Sequence, residues 1–184
     1  MKKLPTLEQF LNEAKETKKT YEYGCSMLYF DFPQMSVIHD NIEQEDIFED
    51  EEDPSFGLEK EPHVTLLYGL HVDECDDNDV ISKSKFESTD PLTLQNISAF
   101  KNDKYDVLKF DVMHDDLHKI NKSLTKLPHT NSFPDYHPHC TIAYLKPGTA
   151  EKYIQAYEGR SFAVHPKHIV YSKPDGSKLK VSPR

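Results

Sequence analysis

Apolar residues recur along the chain at two spacings, and the switching between them outlines a set of elements. Thr6 to Lys19 places Leu7, Phe10, Leu11 and Ala14 on one side of a helix. Tyr23 to Phe30 reads as a strand, and a helical stretch after Pro33 carries Met35, Ile38 and Ile42. A second strand ends at Gly69, and Asp79 to Glu87 reads as helix. Leu92 to Phe100 and Asp106 to Met113 form the arms of a hairpin turned by Asn102-Asp103-Lys104. The clearest helix runs from His114 to Leu127, where Leu117, Ile120, Leu124 and Leu127 fall at helical spacing and Pro128 ends it. After a strand closed by Lys146-Pro147-Gly148, Thr149 is the expected cap of a helix to Tyr157, with Glu151 in its first turn. Phe162 to Val164, His168 to Tyr171 and, beyond a Pro174-Asp175-Gly176 turn, Lys178 to Val181 read as three further strands. This mixed order, with hairpins rather than strict strand–helix alternation, predicts an α+β fold with helices outside a mostly antiparallel sheet. The division expected is a helix or leader over residues 1–20 and one domain over 21–184.

Two of the strands are near copies. Pro62-His63-Val64-Thr65-Leu66-Leu67-Tyr68 returns as Pro138-His139-Cys140-Thr141-Ile142-Ala143-Tyr144. A histidine followed two residues on by a threonine is weak evidence in a chain with 10 histidines, because chance supplies it. The shared Pro, the apolar flanks and the closing Tyr, all at the same offsets, are what chance does not supply. Side chains alternate across a strand, so His63 and Thr65 share a face, as do His139 and Thr141. Strict alternation turns Val64, Leu66, Tyr68, Cys140, Ile142 and Tyr144 the other way, into packing behind the sheet. Cys140 is therefore a poor nucleophile despite its neighbour His139, and the two tyrosines read as packing anchors.

Composition narrows the field. The net charge of −10 opposes binding to long nucleic acid, whose affinity comes from Lys and Arg neutralising many phosphates. A short or cyclic nucleotide needs only a local pocket. No apolar stretch approaches the ~20 residues that span a bilayer, and the start, Met1-Lys2-Lys3-Leu4-Pro5, does not read as a signal peptide. No membrane and no obligate protein partner are expected, and a soluble intracellular protein is. Cys25, Cys75 and Cys140 form no paired motif, which suits a reducing compartment. Eight of the eleven residues from Glu43 to Asp53 are acidic and read as a solvated loop or frayed helix end. His114 and His118, four apart but with no third ligand, read as helix surface. Asp73 to Asp79 lacks the Gly and the final Glu of a calcium loop. Neither a P-loop nor a dinucleotide-binding glycine fingerprint is present.

The paired His-x-Thr strands, with a helix and a hairpin between them, resemble the 2H phosphoesterase superfamily. That resemblance implies two similar α+β lobes about a pseudo-twofold axis, each giving one His-x-Thr strand to a central cleft. Within the superfamily, Tyr23-Gly24-Cys25-Ser26-Met27, Pro62 to Gly69, Ile97 to Val112 and Pro138 to Gly148 are similar to phage anti-CBASS phosphodiesterases, which destroy cyclic oligonucleotide alarm signals. It implies a cyclic oligonucleotide substrate, a place in the cytoplasm of an infected bacterium, and stacking of Tyr23 on a base, beside the simpler reading of a core tyrosine. Leu7-Glu8-Gln9-Phe10-Leu11-Asn12-Glu13-Ala14 is also similar to leader segments of proteins packaged in large phage heads, although a plain helix explains it equally.

The residues carry the chemistry without a cofactor or metal. Histidine titrates near neutrality, so one ring can take a proton while the other gives one. Thr65 and Thr141 can donate hydrogen bonds to the non-bridging oxygens of a phosphate. Which histidine is acid and which base stays open at this point. The alternatives are a 2H enzyme of RNA metabolism acting on 2',3'-cyclic phosphates or 2',5'-linked ends, and a non-catalytic nucleotide binder or internal virion protein.

Overall fold

Alternating burial turns the apolar runs into a sheet whose back face is the core. The computed structural model describes residues 20–131, 133 and 135–184, so the helix and leader expected over the first residues lie outside it. The strands are β1 (Tyr23–Asp31), β2 (His63–His71), β3 (Leu92–Lys101), β4 (Asp106–Met113), β5 (His139–Leu145), β6 (Phe162–Ser172) and β7 (Lys178–Val181). Four helices accompany them: α1 (Gln34–Asp40), α2 (Asp77–Lys83), α3 (Asp115–Leu124) and α4 (Glu151–Tyr157). All pairings are antiparallel, in the order β2-β1-β6-β3-β4-β5 with β7 also on β6. The α+β expectation holds.

The two segments expected as separate strands from Phe162 to Tyr171 are one long strand. The first part of β6 pairs with β3 and the rest with β1 and β7, so a single strand stitches two sheet halves together. Pro166 is accommodated where the β1–β6 register slips between Tyr29 and Phe30, a bulge at which a missing N–H is tolerated. The two ends of the path, β2 and β5, come back beside each other. Cys140 of β5 lies against His63 of β2 across that seam.

Leu28, Val64, Leu66, Leu92, Leu94, Leu108, Phe110, Cys140 and Ile142 lose all exposure in one common core. Each large apolar side chain buried this completely contributes about 1.5–3 kcal/mol, and a one-residue register slip would turn the set outward. Onto this face α3 lays Leu117, Ile120 and Leu124, and α1 lays Met35 and Ile38. The His114 side chain accepts from the Asp116 N–H to cap α3, so this histidine is a structural cap rather than bare helix surface. Asp76 likewise caps α2, which accounts for the acidic run before it. Thr149 does not cap α4: its hydroxyl donates to the Lys146 carbonyl, and Ala150 takes the cap position.

The acidic run from Glu43 is not free loop. A short 3-10 turn (Gln44–Asp46) leads into a segment that covers the edge of β5, with Ile47 bridging to Leu145 and Leu58 to Ala143. Asp46 is buried and accepts from the Tyr153 hydroxyl and Lys152, so the segment is tied to α4. The loop before β5 does the same for β2: Pro128 O accepts from His71 N, and Thr130 N donates to Gly69 O. Covering both edges removes the unpaired ladders through which sheets aggregate.

Gly69 is where that loop comes closest. Its φ is +95°, and a Cβ there would lie 2.0 Å from the Thr130 carbonyl oxygen. Gly69→Ala is therefore expected to destabilise the fold by about 2–3 kcal/mol, the scale of a strained backbone position. A lowered midpoint in urea denaturation checks this; an unchanged midpoint would show that the loop is not seated on β2.

Candidate active site

Both His-x-Thr strands carry the same irregularity at the same place. The β1–β2 register jumps so that Leu66 is skipped, and the β4–β5 register jumps so that Ile142 is skipped. These are matched β-bulges, each one residue past its threonine. A bulge inserts a residue without changing face, so the alternation inverts beyond it. Tyr68 then pairs with Cys25, on the face of His63, and Tyr144 pairs with Val107, on the face of His139. The expectation that these tyrosines pack behind the sheet is overturned for this reason; Tyr68 is 59% exposed. Cys140 does lie behind the sheet, fully buried, with its thiol pushed up to about 12 by burial.

Each bulged carbonyl receives a side-chain donor from a helix, and that of Ile142 also accepts from the Glu59 backbone N–H at 3.0 Å. Asn121 of α3 donates to the Leu66 carbonyl at 2.7 Å, and His39 of α1 donates through Nε2 to the Ile142 carbonyl at 2.9 Å. The strand entries are pinned as well. Phe30 N donates to Pro62 O and Val112 N to Pro138 O, so each proline carbonyl is held just ahead of its histidine.

The two imidazoles are held in one tautomer. His63 Nδ1 lies 2.8 Å from the Glu61 carbonyl, and His139 Nδ1 lies 2.8 Å from the His137 carbonyl. A carbonyl only accepts, so each Nδ1 carries hydrogen and each neutral ring keeps its lone pair on Nε2. His137 thus serves the site through its backbone. The rings are close enough that charge on His63 lowers the proton affinity of His139. The His139 pKa lies below its ordinary 6.5, first because the ring is buried, and further because Lys109 and His63 face it; the His137 carbonyl and Asp111 oppose the shift.

Several residues that the sequence reading missed complete this face. Tyr29, the register partner of His63, is stacked between His63 at 5.1 Å and His168 of β6 at 5.0 Å between centroids. Burial, with Glu61 and Glu59 nearby, raises its hydroxyl to about 12, so it stays a neutral ring. In the other lobe, Lys109 and Asp111 of β4 are the register partners of Thr141 and His139. Phe100 meets His139 edge to face at 5.0 Å. A signal for the lysine was present, since Lys109 and Asp111 stand two apart in a mostly apolar strand and so share a face. His168 offered no such spacing.

Of the residues singled out from sequence, His63 and His139 lie near each other where β2 meets β5, and Thr65 and Thr141 share the faces of their histidines. The Thr65 side chain lies beside the Cys25 sulfur. Tyr23 is not a core residue. It is 36% exposed, shares the face of His63 and meets the rings of Tyr68 and His71, both at 6.1 Å. Its partner is His71, at the far end of β2, and Tyr23 stands six residues along β1 from Tyr29, the partner of His63, roughly 20 Å at ~3.3 Å per residue. No group of three or more His, Cys, Asp or Glu side chains suited to a metal ion occurs among the described residues. No helix among them is long and apolar enough to cross a membrane.

The match that decides the family covers both repeats: residues 38–171 fit the model of the 2'-5' RNA ligase superfamily. The chain belongs to that superfamily, the 2H phosphoesterases. Its fold is similar to that of Kluyveromyces marxianus Usb1, at 11% identity and a TM-score of 0.56, covering 87% of this chain and 97% of that one. It is similar also to Kluyveromyces marxianus Usb1 with uridine monophosphate, at 11% identity and a TM-score of 0.51, covering 87% and 98%. A solved phosphoesterase is 16% identical with a TM-score of 0.41, covering 88% and 95%. No curated protein matches the chain.

The tautomers are open to direct measurement. In 15N-labelled protein above the titration range, the ring nitrogens of His63 and His139 are expected to show hydrogen on Nδ1 and a lone pair on Nε2. The opposite pattern at either ring would contradict the carbonyl contacts.

Proposed function

We propose that this 2H phosphoesterase is a metal-independent phosphodiesterase that opens 3',5'-linked cyclic di- or trinucleotides to linear products, counteracting CBASS anti-phage defence. The single observation that carries the hydrolase reading is the pair of imidazoles, each with Nδ1 tied to the carbonyl two residues back and Nε2 left for a ligand beside a threonine. The cyclic substrate rests on the stretches similar to anti-CBASS enzymes and on an aromatic Tyr23 set well along the face from His63, where a base remote from the scissile phosphate could stack. In this reading the substrate is met in the cytoplasm of an infected bacterium.

Burial keeps His139 neutral, which suits the base. Its Nε2 takes the proton of the ribose 2'-hydroxyl or of a water, whose oxygen attacks phosphorus. His63 takes the role of the acid, its proton passing to the departing 5'-oxygen as the P–O5' bond breaks. Thr65 and Thr141 hold the non-bridging oxygens as charge builds on them. Tyr29 stacks on His63 and keeps its ring in place. The second reading is an enzyme acting on RNA ends, favoured by the fold likeness to Usb1, one structure of which is with uridine monophosphate.

The deciding assay presents cyclic di- and trinucleotides, 2',5'-oligoadenylate and RNA with 2',3'-cyclic or open ends to the purified chain in excess chelator. Linear products from the cyclic substrates support the first reading, and turnover confined to RNA ends supports the second. Recovery of every ligand intact overturns both and leaves a binder. His63→Ala and His139→Ala are each expected to lose about 10²–10⁴-fold in rate, the scale of a lost general acid or base; full rate in either would sink the mechanism. Because the His139 pKa is depressed, the rate is expected to hold as pH falls through 6.5 and to decline only below it. A decline centred at or above 6.5 would contradict His139 as the base.

A further inference from the structure

Lysine is seldom buried without a partner, yet Lys109 is 7% exposed on the face that carries the imidazoles. Its ammonium donates to Asp111 Oδ1 at 2.5 Å and lies 4.9 Å from the centre of the Phe100 ring. An ammonium has three N–H donors, and an aromatic face is not a hydrogen-bond acceptor of the oxygen kind. Among the described residues Asp111 is the oxygen partner found for it, which leaves two donors for a ligand. Register sets where they are. Lys109 pairs directly with Thr141, and Asp111 with His139, and cross-strand partners on one face stand about 5 Å apart at Cβ. Asp111 is itself steadied by the Asn96 amide at 3.4 Å; Asn96 has φ +53° at the irregularity in β3.

In a chain of net charge −10, a cation kept dry beside a threonine and an imidazole is costly unless it meets an anion. Asp111 meets part of that need and fixes the ammonium in place. We infer that Lys109 binds the phosphoryl oxygens next to Thr141 and supplies the positive charge for the charge building on them, with Asp111 as its positioning residue. This deepens the hydrolase reading and rests on it. The lobes are unlike here: Met27 is the register partner of Thr65 where Lys109 is that of Thr141. One threonine therefore works with a fixed cation and the other without.

The charge of Lys109 also acts on His139. The groups facing that ring are Lys109 and Asp111 from β4, His63 from β2, and the His137 carbonyl from the segment entering β5. Removing the cation should raise the His139 titration midpoint, and removing the Asp111 charge should lower it. A lysine that only braced the sheet would act on stability and leave substrate handling alone.

The test compares the full chain with Lys109→Met, Lys109→Arg and Asp111→Asn. Lys109→Met is expected to lose about 10²-fold in kcat, the scale of one lost oxyanion donor, with its acid limb moved to higher pH. Lys109→Arg should recover part of the rate, and Asp111→Asn should lose about tenfold. A folded Lys109→Met within about threefold of wild type, its acid limb unmoved, overturns the inference. Should Lys109→Met not fold, unchanged kcat in Asp111→Asn overturns it instead. If the wild-type chain cleaves nothing, the hydrolase reading fails by itself, and an NMR titration with inorganic phosphate still decides the role of Lys109. Shifts at His139 and Thr141 that vanish in a folded lysine variant, Lys109→Met or Lys109→Gln, support phosphate binding, and equal shifts in wild type and variant overturn it.

Discussion

A bulge frees one carbonyl from a β-ladder, and a carbonyl left unbonded in a protein interior costs about 1–3 kcal/mol. The site depends on how that obligation is met. Leu66 and Ile142 are skipped in their ladders; the Leu66 carbonyl is satisfied by Asn121, and that of Ile142 by His39 together with the Glu59 backbone N–H. These bonds secure the local twist that lets His63 and Thr65 face the site while Leu66 and Leu67 both stay buried. They do the same for His139 and Thr141 against Ile142 and Ala143. One device used twice thus ties a helix to each bulge and sets the aim of the four candidate side chains.

The same duplication reaches the imidazoles, where it stops being symmetric. Both rings are locked with hydrogen on Nδ1, so backbone geometry alone prepares two equivalent groups. Their surroundings separate them. His63 lies on a tyrosine that is itself stacked on His168, an uncharged platform at its hydroxyl's raised pKa. His139 meets Phe100 edge-on with a lysine and an aspartate beside it. The strands flanking the repeats thus give two like-held rings unlike surroundings.

How much of this could be read in advance follows from which rule governs each residue. Alternation governs the first three positions of each repeat, so the shared face of His63 and Thr65, and of His139 and Thr141, was legible, as was burial of Cys140. It fails at Tyr68 and Tyr144 because a bulge leaves no signature in residue type. The acidic run from Glu43 was misread since charge describes its side chains, whereas its backbone is what covers β5. Phe162 to Ser172 was divided at a proline whose missing N–H falls at a register slip. Lys109 and Asp111 were within reach of the same alternation argument that found the histidines, but an isolated pair of charges in one strand had no second copy to draw attention to it.

The braces cross over. α1 follows β1 in the chain yet holds the bulge of β5, and α3 follows β4 yet holds that of β2. The loops cross too: the segment before β2 covers β5, and the one before β5 covers β2. Each bulge is thus held by sequence belonging to the opposite half. Neither repeat can drift by substitution, insertion or recombination without disturbing its twin, which ties the two halves of this chain to a common evolutionary fate.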